Sequence, residues 1–70
     1  MYDHALDLNA FRKMKDNETN RQKYLVKCLL YHDGKFIRSD MNRNALEEEA
    51  QKEFGRDNYS IFFMSKSRNR

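Results

Sequence analysis

The sequence contains no proline, no tryptophan, only two glycines and a single cysteine. One cysteine cannot form an internal disulfide, which excludes a disulfide-stapled fold and fits a reducing compartment. No apolar run approaches the roughly 20 residues that cross a bilayer, and the N-terminal stretch MYDHALDLNAF has two aspartates where an export signal would have lysines. We therefore expect a cytoplasmic protein with no membrane partner.

The length of 70 residues allows one small domain, and a domain of about this size buries only ~60% of the surface that its unfolded chain exposes. Hydrophobic residues make up 39% of the chain and charged residues 36%, so the core is thin. Four tyrosines and five phenylalanines still favour a folded chain over a disordered one. We expect a single domain over residues 1–70, with an N-terminal helix and linker (1–20), a core (21–66) and a basic tail (67–70).

Residues 3–15 predict an amphipathic helix. Its apolar positions recur at helical spacing, with Phe11 beside them: Leu6, Ala10 and Met14. Asp3 is placed to cap the helix, and cations follow in its last turn, the charge order that the helix dipole favours. The polar run over residues 16–20 predicts a linker.

Residues 24–41 predict a β-hairpin. The pair Asp33-Gly34 between strand-like runs is typical of a two-residue type I′ turn, which needs positive φ at both positions. The register that follows places on the core face His32 opposite Lys35, Leu30 opposite Ile37, Cys28 opposite Ser39 and Val26 opposite Met41. The other face then carries Tyr31 opposite Phe36, Leu29 opposite Arg38, Lys27 opposite Asp40, and Leu25.

A second helix and a third strand follow the hairpin. Asn44 with Glu47 resembles a capping box, Gly55 is placed to end the helix, and the apolar stripe is Leu46, Ala50 and Phe54. The run over residues 58–66 predicts a strand. A right-handed crossover delivers it parallel to strand 2, with its natural place beside the apolar strand 1. The fold class is therefore α+β: an N-terminal helix, then a β-β-α-β unit whose three-stranded sheet has the order 2-1-3.

Both faces of the predicted sheet are apolar, but the second helix covers only one of them. The other face needs its own cover over its apolar side chains, Leu25, Leu29, Tyr31 and Phe36. The N-terminal helix, a second copy of the chain in a homodimer, or a partner would each serve.

No group of residues predicts a catalytic centre. Cys28 and His32 are four positions apart on a strand, about 13 Å at ~3.3 Å per residue, too far for a thiolate–imidazole pair. The chain has no paired cysteines, no metal-ligand spacing and no glycine-rich phosphate loop. We expect a non-enzymatic protein without catalytic residues, metal or cofactor.

The formal charge of +3 and the isoelectric point of about 9.2 suggest contact with nucleic acid. Aromatic and cationic side chains on the second sheet face, Tyr31 and Phe36 with Lys27 and Arg38, fit a stacking platform for single strands. Further candidate contacts are Arg12, Lys13, Lys15, Lys66, Arg68 and Arg70. The second helix is acidic, which opposes nucleic acid on that side.

The hairpin, the stretch SDMNRNALEEEAQKEFG and the short strand after it resemble the hairpin–helix–strand unit of small phage-encoded proteins, including some anti-CRISPR inhibitors. The resemblance covers residues 24–65 and carries no functional residue across. It implies an inhibitor that docks on a protein subunit of a host nucleic-acid-handling complex. For such a partner the predicted contacts are Tyr31, Phe36, Arg38, Lys27 and Leu29. We favour this function, with direct binding of single-stranded nucleic acid as the alternative.

Overall fold

The computed structural model describes residues 2–65, which form three helices and three strands. In chain order these are α1 (His4–Asp16), α2 (Glu18–Lys23), β1 (Cys28–His32), β2 (Lys35–Asp40), α3 (Arg43–Phe54) and β3 (Ser60–Phe63). The predicted α+β class, with a helix before a β-β-α-β unit, is confirmed. The predicted linker at residues 16–20 is wrong, because Asn17 accepts a hydrogen bond from the backbone N–H of Asn20 and starts α2.

The central strand of the sheet is β1, which pairs with both of the others in the order β2-β1-β3. Since β2 and β3 both run antiparallel to β1, they run in the same direction as each other, and α3 makes the crossover between them. The predicted order 2-1-3 is confirmed. Asp33 and Gly34 have φ of 58° and 77°, as the predicted type I′ turn requires.

The two residue pairs nearest the turn have the predicted register, and the pairs farther from the turn are shifted by one residue. Leu30 lies opposite Arg38 instead of Ile37, because β2 carries one extra residue in a β-bulge. Both Ile37 and Arg38 consequently contact the α3 side of the sheet, and the predicted position of Arg38 beside Leu29 is wrong. The observed pairs are His32 with Lys35, Tyr31 with Phe36, Leu30 with Arg38, Leu29 with Ser39 and Cys28 with Asp40. The predicted pair of Val26 with Met41 lies outside both strands.

Each face of the sheet is covered by one helix. On one face α3 packs over a cluster of buried residues, which are Cys28, Leu30, Leu46 and Ala50. On the other face α1 packs over a second cluster, which is Phe11, Leu29, Tyr31 and Met64. Of the three covers considered for the second face, the N-terminal helix is the one in the structure.

Three predictions at the ends of elements are wrong. Leu6 is 48% exposed, because Asp7 takes the inward position of α1 in its place. Val26 is 47% exposed and has a φ of 60°, so it lies in a turn before β1 instead of in the strand. The cap of α3 is Asn42, whose side chain accepts a hydrogen bond from the N–H of Ala45. The predicted end of α3 at Gly55 is confirmed.

Replacing Leu30 with alanine is expected to lower the free energy of unfolding by about 2–5 kcal/mol, because its side chain is fully buried beneath α3. Denaturant unfolding measures the loss. Leu6→Ala is the matched control and is expected to change stability by about 0.5 kcal/mol or less. Equal losses of unfolding free energy in the two variants would show that Leu30 contributes no more to stability than an exposed leucine does.

Candidate functional site

The sheet face that was predicted to bind a partner lies under α1. Leu29 and Tyr31 are 0% and 1% exposed, and the ring of Phe11 packs edge-on against Tyr31. Phe36 is half-buried and contacts the rings of Tyr24 and Tyr31. A partner would therefore reach Leu29 and Tyr31 only if α1 left the sheet.

Arg38 lies on the opposite side of the sheet, where its guanidinium bridges two glutamates of α3. Nη1 donates to Glu49, and Nη2 donates to Glu53 over 3.0 Å. These ion pairs are exposed, and such pairs contribute about 0–1 kcal/mol each. Lys27 is half-buried and precedes β1. The five residues predicted to bind a partner thus do not form one surface.

A buried carboxylate joins α1 to the hairpin turn and to β3. Asp7 is 0% exposed. Its Oδ1 accepts the backbone N–H of Gly34 over 2.7 Å, and its Oδ2 accepts the hydroxyl of Ser60 over 2.7 Å and the hydroxyl of Tyr2. Three donors replace the water that a carboxylate loses on burial, so both of its oxygens keep hydrogen-bond partners inside the protein.

Two further hydrogen bonds extend this network. The Tyr2 hydroxyl accepts the backbone N–H of Asp33 over 2.8 Å, and His4 Nδ1 lies 2.7 Å from the Ser60 oxygen. Because Ser60 gives its proton to Asp7, His4 must donate its Nδ1–H to Ser60. A serine, a histidine and a carboxylate meet here, but the imidazole is not placed to withdraw the serine proton as nucleophilic catalysis requires. The network supports the position of α1.

The sequence contains a signal for this network that was missed. Asp7 precedes Ala10, Phe11 and Met14 by three, four and seven positions, so it shares their helical face. A carboxylate on an apolar stripe indicates a buried acid with dedicated donors. The donors themselves are far away in the chain, and no local pattern identifies Ser60 or the N–H of Gly34 as partners.

The end of α1 and the short helix α2, which packs against it, carry a group of cations. This cationic surface consists of Arg12, Lys13, Lys15, Arg21 and Lys23. Arg21 is half-buried and the other four are exposed. Within residues 2–65 the ion pairs involve Arg38 and Arg43, so no cation of this surface is paired with an acid there. The candidate contacts Lys66, Arg68 and Arg70 lie outside the described residues.

The acidic groups of α3 lie on the other side of the sheet from α1. They are Glu47, Glu48, Glu49 and Glu53. Arg43 and Arg38 pair with three of these glutamates. The outer side of α1 and α2 therefore carries an excess of cations, whereas most of the glutamates on the α3 side are paired with arginines.

A groove of about 490 Å³ runs beside β3, between the start of α1 and the start of α3. Its walls include His4 and Leu8 from α1 and Arg43 and Glu47 from α3, and its floor is residues 59–62. The groove is open and mixed in character, with an apolar floor and both signs of charge along its rim.

Neither a metal site nor a related protein identifies the function. Within residues 2–65, no three His, Cys, Asp or Glu side chains lie close enough together to hold a metal ion. Over the same range, no helix has both the length and the apolar character needed to cross a membrane. Comparison of the chain with protein-family models, curated proteins and solved structures found no match.

Replacing Asp7 with asparagine is expected to lower the free energy of unfolding by about 2–4 kcal/mol, because the amide removes the charge and presents its own N–H groups to donors. Denaturant unfolding measures the effect. Asp16→Asn, at an exposed end of the same helix, is the control and is expected to change stability by about 0.5 kcal/mol or less. A loss no larger than the control's would mean that Asp7 does not fix α1.

Burial raises the pKa of Tyr2 to about 12, and its hydrogen bond to Asp7 acts in the same direction. Burial likewise raises the pKa of Tyr31 to about 12. Both folded-state pKa values exceed the ordinary value near 10, so this contribution to stability is complete below about pH 10 and is lost as the pH rises towards 12. Titration of tyrosinate absorbance is expected to show late ionisation from Tyr2 and Tyr31, and Tyr2→Phe is expected to reduce its amplitude by one tyrosine. An unchanged late phase in that variant would contradict the assignment of Tyr2.

Proposed function

We propose that the protein is a small non-enzymatic binding protein whose cationic surface contacts the phosphate backbone of nucleic acid, alone or within a nucleic-acid-handling complex. The observation that carries the proposal is the group of cations on α1 and α2 without acidic partners in residues 2–65. Proteins bind nucleic acid largely by replacing counterions at phosphates with lysine and arginine side chains.

The separation of charge supports a phosphate-binding side. The glutamates of α3 lie across the sheet from α1, so a strand laid along α1 and α2 does not meet them. The lysines and arginines follow one another along two adjacent helices, which suits a ligand with repeated charges. The burial of Tyr31 and of most of Phe36 moves the proposed contact away from base stacking on the sheet and towards the backbone.

A protein subunit is the second candidate partner, and it would fit a phage inhibitor of the anti-CRISPR kind. The support for this partner is the groove beside β3, with an apolar floor and with Leu8 partly exposed on its wall. Leu29 is one of the residues predicted to contact a protein partner, and it is buried beneath α1. The cationic surface now gives nucleic acid the stronger support. The protein bound at this groove could equally be a second copy of the chain, which would give a homodimer.

The affinity of the protein for single-stranded oligonucleotides is expected to fall with salt, with a slope of log K against log salt of about −0.7 for each contacted phosphate. The double variant Lys13→Gln/Lys23→Gln is expected to weaken binding and to reduce the magnitude of this slope by about 1.4. Fluorescence anisotropy at several salt concentrations measures both.

Lys52→Gln/Arg56→Gln is the matched control. It lowers the net charge by the same two units, but Lys52 belongs to α3 and Arg56 follows it. Equal losses in the two double variants would show that net charge, and not the cationic surface, drives binding. Absence of binding by the native protein even at low salt would refute the proposal. Capture of a protein partner that Leu8→Asp abolishes, and that the lysine variant retains, would then favour the groove.

A further inference from the structure

We infer that the cleft between the end of α1 and helix α2 binds one phosphate group. The inference rests on the proposed function in taking that phosphate to be a phosphodiester of a single-stranded nucleic acid. The cleft has a volume of about 410 Å³ and is lined by Arg12, Lys15, Asp16 and Arg21. It is one point of the cationic surface where three cations border a common cavity.

The guanidinium of Arg21 is held in place at this cleft. Its Nη1 donates to the backbone carbonyl of Lys15 over 2.7 Å, and the side chain is half-buried. This hydrogen bond caps the end of α1, which is a sufficient structural role for one of the five guanidinium N–H groups. A fixed planar fork is also the group best suited to paired phosphate oxygens, since less freedom is lost on binding.

The charge around the cleft is positive even after its carboxylate is counted. Three cations and Asp16 leave two positive charges, and Asp16 forms no ion pair with them in the described part of the chain. Lys15 is also held locally, with its Nζ 5.7 Å from the centre of the Phe11 ring. Lys13 and Lys23 flank the cleft in sequence, outside its lining. These two lysines therefore serve as comparison positions for the cations that line the cleft.

Asp16 provides the sharpest test, because its removal is expected to improve binding. Asp16→Asn is expected to raise the affinity for a short oligothymidylate about two- to fivefold, by removing a repulsive charge from the cleft. Glu18→Gln makes the same charge change on α2, and Glu18 does not line the cleft. It is expected to have the smaller effect. An equal gain in both variants would overturn the inference.

The cations are tested in a second pair. Arg21→Gln is expected to weaken oligothymidylate binding at least about threefold more than Lys23→Gln, and Arg21→Lys is expected to recover part of the loss. Thermal unfolding establishes that each variant folds. If Arg21→Gln does not fold, Arg12→Gln replaces it, since Arg12 is exposed and also lines the cleft. Equal losses of affinity in the cleft variant and in Lys23→Gln would show that the cleft is not a specific phosphate site, and would leave the proposed function intact.

Inorganic phosphate separates the cleft from the proposed function. In ¹H–¹⁵N spectra, phosphate is expected to shift the resonances of Lys15, Asp16 and Arg21, and chloride at equal ionic strength is not. If these shifts occur but the protein binds no oligothymidylate, the cleft binds phosphate, but that phosphate does not belong to a nucleic acid. If phosphate and chloride act alike and the variants do not differ, the inference is wrong.

Discussion

The structure depends on the burial of one carboxylate. Asp7 is stable inside the protein only while hydrogen bonds replace its lost water, and its donors come from three separate parts of the chain: Tyr2 before α1, Gly34 in the hairpin turn and Ser60 at the start of β3. All three must be in place together. The network therefore sets the position of α1 on the sheet, and with it the apolar face that α1 closes and the cationic surface that α1 presents outwards.

A three-stranded sheet with a helix on each face lets this short chain bury two small apolar clusters, one on each side of the sheet. Neither face has many apolar residues, but the central strand β1 contributes to both, with Leu29 towards α1 and Leu30 towards α3. The same arrangement determines the polarity of the surface. The charged side chains of α1 and α3 lie on opposite sides of the sheet, so within residues 2–65 the cations of α1 and α2 form no ion pairs with the glutamates of α3.

Local signals predicted much of the fold. The Asp33-Gly34 turn, the apolar stripe of α3 and the crossover rule together led to the correct strand order, because each depends on neighbours in the chain or on general chirality. The bulge at Ile37 was not predictable, since its extra residue is accommodated by packing against α3 instead of by any turn residue. The predicted partner surface relied on an uninterrupted register, and both the bulge and the cover by α1 removed it. The cations of this surface are visible in the sequence, both at Arg12, Lys13 and Lys15 and in the run RQK over residues 21–23, but the placement of that run beside α1 depends on helix α2, which was not predicted.

The contact between the two ends of the described chain has a consequence for folding kinetics. The ring of Phe11 stacks on Phe62 with centroids 4.6 Å apart, and Ser60 meets Asp7 across 53 positions of sequence. Contacts of such long range slow folding, because a large loop must close before they form. During synthesis α1 leaves the ribosome before β3, and its contacts with β3 through Phe62 and Ser60 can form only afterwards. Until β3 has been synthesised, the apolar stripe and the buried acid of α1 therefore lack the contacts that cover them in the folded structure.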